Sequence, residues 1–201
     1  LLLGLTIVAG SCRRVDIELE QALTTARENR PELEKVLDHY ARSEADSLKY
    51  KAAVYLIKYM PYHYSWSGKY DDYCKAVDSV VSRTNDSEQL QHILQRLSEQ
   101  YTPQIELSPD IVHVTSEFLI RNIEQGFALW QDGIWARHLD FDQFCEYLLP
   151  YRCIDGQPLE NWRDSLYDVC RGSMDILWMN YDYEYNPLSA VSTVNSALKK
   201  K

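Results

Sequence analysis

What most restricts the fold of this chain is the recurrence of its apolar side chains every three to four positions. It repeats block after block, with a proline or a short polar cap at the block edges. Ile17, Leu19, Ala22, Leu23 and Ala26 form the first stripe. "ENRPELEKVLDHY" then restarts a helix with Pro31 in its first turn and Leu33, Val36, Leu37 and Tyr40 on one side. "ADSLKYKAAVYLIKYM" starts at Asp46 or Ser47, shows Leu48, Ala52, Tyr55, Leu56 and Tyr59 on one face, and is stopped by Pro61. In "YDDYCKAVDSVVSRT" the spacing turns Cys74, Val77, Val80 and Val81 inward. "DSEQLQHILQRLSEQY" is an amphipathic helix capped at Asp86 or Ser87.

The later blocks follow the same logic. A short extended stretch leads to a long helix expected to open at Ser108, with Pro109 at its first position, and to carry Val112, Thr115, Phe118, Leu119, Asn122 and Ile123 on its face. Gly126 is expected to interrupt it. In "IWARHLDFDQFCEYLLPYR" Asp140 reads as an N-cap and Pro150 as a stop, and a further helix is expected from about Leu159 to Arg171. With only seven glycines and seven prolines in 201 residues, there are too few turn formers for many short strands. The expected fold is therefore all-α, a multi-helix globular array with little or no sheet.

Charge and metal chemistry exclude several functions. A net charge of −9 opposes nucleic-acid binding, which needs a basic surface to neutralise phosphates. His39, His63, His92, His113 and His138 are scattered without a His-x-x-x-His pair, and no Cys-x-x-Cys occurs, so neither a metal site nor a cofactor is expected. The stretch "FDQFCEYLLPYRC" brings Cys145 and Cys153 near His138 and raises the question of a thiol nucleophile. Helical phase answers it: Phe141, Phe144, Cys145 and Leu148 share a face, which makes Cys145 a packing residue. A small thiol hydrolase built on Cys145 and His138 is the weaker alternative. Glu146 and Arg152 are candidates either for an ion pair that fixes the chain's exit after Pro150 or for contacts with the backbone of an adjoining domain. Cys74 reads as a small core residue.

Fifteen tyrosines and five tryptophans are the compositional excess. Tyr62, His63, Tyr64, Trp66 and Tyr70 crowd into "PYHYSWSGKYDDY" around Gly68. This segment, residues 61–73, reads either as a ring-packed helix connection or as a binding loop for glycans or a partner.

The first residues, "LLLGLTIVAGSC", form an apolar run too short to span a bilayer. Small residues before Cys12 resemble a bacterial lipoprotein cleavage site, in which that cysteine carries lipid. Residues 1–11 are then a partial signal peptide, Cys12 the lipidation site, and the chain a cell-envelope protein on the periplasmic face or the cell surface. Residues 12–172 are expected to form the helical domain, and 173–201 an irregular C-terminal segment, either truncated or naturally short, that ends in three lysines.

The blocks "LKYKAAVYLIKYMPYHYSW" and "FDQFCEYLLPYR", the latter followed by "QPLENWR", together with "NRPELEKVLDHY" and "FLIRNIEQGFALWQ", resemble a known family over about Glu18 to Arg163. It is the N-terminal helical region of bacterial transglutaminase-like lipoproteins of gut Gram-negative type. The resemblance implies a downstream papain-like domain with a Cys, a His and an Asp. After Trp162 the chain has no histidine and only Cys170, so no catalytic residue carries over and the chain alone is expected to be inactive. It is expected to be a fragment or a naturally short relative.

Overall fold

The computed structural model describes residues 16–133, 136–154 and 156–166, with Ser192 and Ser196. The expected signal segment 1–11, Cys12, Cys170 and, apart from those two serines, the segment 173–201 lie outside the described residues.

The chain is mainly α-helical, and among the described residues there is one two-stranded antiparallel sheet. Its helices are α1 (Ile17–Thr25), α2 (Arg30–Ala41), α3 (Ser47–Tyr59), α4 (Tyr70–Val81), α5 (Ser87–Tyr101), α6 (Ser116–Asp132) and α7 (Phe141–Tyr147). The strands are β1 (Tyr64–Gly68) and β2 (Ile105–Pro109), paired Tyr64 to Pro109 through Gly68 to Ile105. Residues 162–166 are again helical.

Local chemistry sets the boundaries. Asp16, Asp86 and Thr115 accept hydrogen bonds from the first free amides of α1, α5 and α6. Asp140 and Gln143 form a reciprocal capping box at α7. Pro31 stands in the first turn of α2, where its missing N–H costs nothing.

The core is built from α1, α2, α3, α6 and α7. Leu33, Val36, Leu37 and Tyr40 are all buried, as the spacing predicts. Phe144 sits under Trp130, ring centroids 4.4 Å apart and nearly parallel, and meets Phe127 edge-on at 4.8 Å.

Four expectations need correction. The buried face of α3 is Ala52, Ala53, Leu56 and Ile57, while Leu48 and Tyr59 are exposed, because α1, α2 and α6 approach α3 from a direction its apolar pattern does not specify. Val81 is exposed, and no residue of α4 is fully buried. The long helix does not open at Ser108–Pro109. These residues end β2, a 3-10 turn covers Asp110–Val112, and α6 starts at Ser116, since pairing with β1 takes up the residues before it. Gly126 does not interrupt α6. It is buried within it, where a Cβ would lie 3.6 Å from the Phe144 ring.

Candidate functional site

Alternation along β1 produces two different surfaces. Successive side chains of a strand point to opposite faces, so Tyr64 and Trp66 share one side and Ser65 takes the other. Ser65 faces inward to Asp110, which the sheet delivers at the end of β2 by way of the Asp110 amide donating to His63 O (3.0 Å).

Asp110 is fully buried and is the centre of a polar knot. Ser65 Oγ donates to Asp110 Oδ1 at 2.5 Å, and Tyr151 Oη donates to Oδ2 at 2.7 Å. The Arg152 guanidinium forms a buried ion pair with Oδ2. It also donates to Tyr64 O (2.6 Å) and Ser65 Oγ (2.9 Å). Burial, then the neighbouring Asp110 charge, holds the Tyr151 phenol well above its ordinary value, so it stays a donor. The expected Arg152–Glu146 pair is therefore not the one formed. Arg152 belongs to Asp110, and Glu146 instead accepts from Tyr55 Oη at 3.3 Å.

The other face of β1 opens into an aromatic cleft of about 280 Å³ lined by Tyr62, Tyr64, Trp66, Leu107 and Gly156. Tyr62, Tyr64 and Trp66 remain 76%, 40% and 42% exposed. Leu107 lies opposite Trp66 in the strand register. Tyr70 stands behind this wall, its ring stacked on Trp66 with centroids 6.1 Å apart and planes at 23°. Gly156 is held there by a bridge to Ser65, its amide donating to Tyr64 O at 3.1 Å. Its φ is +78°, and a Cβ on it would lie 2.4 Å from Trp66 Nε1.

Of the five aromatic candidates, the structure thus gathers Tyr62, Tyr64, Trp66 and Tyr70 and separates His63. His63 turns toward Tyr151, edge-on at 6.0 Å, in a second cleft of about 510 Å³ walled also by Tyr55, Tyr59, Glu146 and Arg152. Leu107 and Gly156 escape sequence reasoning, since nothing in "QIELSP" or "IDGQ" announces a shared cleft. The Tyr-Ser-Trp-Ser alternation could have marked β1 as a strand.

The thiol alternative gains no support from these positions. Cys145 is 2% exposed in the core beside Phe144. Burial first, and then the Asp142 charge, pushes its thiol up to about 12, which keeps it protonated and a poor nucleophile at neutral pH. His138 is exposed. Cys74, Cys145 and Cys153 are free thiols, and Cys74 is only partly buried rather than a core residue. Among the described residues no cluster of three or more His, Cys, Asp or Glu could hold a metal ion, and no helix is long and apolar enough to cross a membrane.

Trp162 and Arg163 tie the segment after α7 to the helical body. Arg163 donates to Asn122 Oδ1, Leu148 O and Pro150 O, closing the end of α7 on α6, and Trp162 Nε1 donates to Tyr151 O at 2.7 Å. Comparison with family models, curated proteins and solved structures yields no match for this chain.

Proposed function

We propose that this chain is a non-catalytic binding module of a cell-envelope lipoprotein, and that it takes carbohydrate in the aromatic cleft of its sheet. The observation that carries the reading is the exposure of Tyr62, Tyr64 and Trp66 around one cleft, with Tyr70 bracing Trp66 from behind. Exposed rings cost hydration unless something covers them, and the apolar C–H face of a pyranose covers such rings while its hydroxyls stay in water. A cleft of about 280 Å³ suits one or two sugar rings rather than a folded partner. Lipid on Cys12 holds the module at the membrane, and the resemblance supports a position ahead of a transglutaminase-like catalytic domain.

Titration of the protein with a panel of bacterial and host glycans, read by tryptophan emission, is expected to give saturable binding. Trp66→Ala should lower affinity about tenfold, the scale of one lost aromatic contact. Tyr62→Ala should also weaken binding, and its exposed ring makes that variant independent of folding. A panel that produces no saturable change, or binding indifferent to both variants, overturns the carbohydrate reading. Mass spectrometry of the membrane fraction tests the anchor separately, with acylated Cys12 expected and an unmodified N-terminus refuting it.

A further inference from the structure

The second cleft has a chemistry that the aromatic cleft lacks. Its walls include the rings of Tyr55 and Tyr59, 4.7 Å apart and tilted by 48°, and the carboxylate of Glu146. Leu56, Pro150 and Ile154 give it an apolar floor and rim. Its volume of about 510 Å³ falls within the range of small-molecule and side-chain sites.

Among the described residues, one arginine and one carboxylate line this cleft beside the imidazole of His63, and the first two are not equivalent. The Arg152 guanidinium is buried and paired with Asp110, so its charge is cancelled inside the protein and little of it faces solvent. Glu146 is exposed. Among the described residues no cation pairs with it, and the one that donates to it is Tyr55, Oη to Oε2. Among the described residues Glu146 thus sets a carboxylate that no described cation pairs with beside two electron-rich ring faces, a combination that attracts a cation.

We propose that this cleft binds the side chain of a lysine on a polypeptide partner. The ammonium meets Glu146 Oε1 and the Tyr59 face, and the tetramethylene stem lies along Leu56 and Ile154. Lysine is assigned rather than arginine because a compact ammonium is satisfied by a single carboxylate oxygen, and Oε1 is the oxygen of Glu146 that Tyr55 leaves uncontacted. Tyr55 is well suited to this anchoring role. Burial, followed by the Glu146 charge, pushes its phenol up to about 12, so the hydroxyl remains a donor and fixes the carboxylate.

The test uses Nα-acetyl-L-lysine methylamide as probe, with its norleucine and arginine counterparts, added to the full chain. Binding is followed by tyrosine ring NMR shifts. Cys153, an exposed free thiol at the cleft, reports independently through the rate of its alkylation by iodoacetamide, read by peptide mass spectrometry. The lysine probe is expected to bind about tenfold more tightly than the norleucine probe, to weaken as salt rises, and to slow Cys153 alkylation. Glu146→Gln keeps an acceptor for Tyr55 but removes the charge, and is expected to erase the preference for lysine over norleucine. Equal binding of lysine and norleucine probes to the unaltered protein, a preference that survives Glu146→Gln, or tighter binding of the arginine probe would each overturn the assignment.

Discussion

At the scale of single residues, the central fact is a buried charge with its partners arranged around it. Asp110 has no exposure and depends on Ser65, Tyr151 and Arg152 to replace water. Removing one member of such a pair strands the other charge in the core, which typically costs about 3–5 kcal/mol, a large part of the 5–15 kcal/mol that holds a domain folded. Asp110→Asn is expected to lower stability by about that amount in urea denaturation. Adding Arg152→Met to it should recover part of the loss, because no charge then remains buried. A single variant as stable as the parent would mean that the pair contributes little. None of this was legible in the sequence: "SPDIV" reads as a helix start, and only the antiparallel register sets Asp110 beside Ser65. By contrast, the burial of Cys145 followed from its position on an apolar helical face.

Among elements, the joints carry the information. Glu32 on α2 accepts from the Ser116 amide (2.8 Å) and hydroxyl (2.7 Å) at the start of α6, and it also pairs with Lys35. The Lys35 hydrogen bond, followed by those from Ser116, lowers its carboxyl from an ordinary 4.5 to about 2. A depressed carboxyl binds fewer protons folded than unfolded. Its contribution is therefore complete above about pH 4.5 and is lost as pH falls from there through about 2. Glu32→Gln is expected to flatten the stability-against-pH curve in that window, measured by urea midpoints at each pH. An unchanged slope would assign the acid sensitivity to other carboxyls. The caps were legible because they are local: Asp140 and Asp86 precede their helices by chemistry that one turn of chain decides. The meeting of α2 with α6, more than eighty residues apart, was not.

At the scale of the whole molecule, the described residues divide into a well-buried helical body and an arm. The arm is the pair α4 and α5, which pack on each other and reach the rest through β1 and the 3-10 turn Thr102–Gln104. Neither helix contains a buried residue, whereas α2, α3 and α6 each contain four or more. Burial sets the free energy of local opening, so the arm should open below the global unfolding energy. Native-state hydrogen exchange is expected to be faster throughout residues 70–101 than in α2, α3 and α6. Protection equal to that of the core helices would show that the arm unfolds only with the body.

By itself the sequence determined that this chain is helical, where most helices begin and end, and which side of α2 and α7 is buried. Periodicity and capping act over one or two turns, and one or two turns are visible in a linear string. It also gathered most of the aromatic cleft, because Tyr62, Tyr64, Trp66 and Tyr70 are near neighbours in the chain. Only the tertiary structure decided which face of α3 is covered, that His63 leaves the other rings, that Arg152 belongs to Asp110 rather than Glu146, and that Leu107 and Gly156 complete the cleft. Those facts depend on strand register and on contacts between distant segments, and a shift of one residue in the register would turn Ser65 outward and Trp66 into the core.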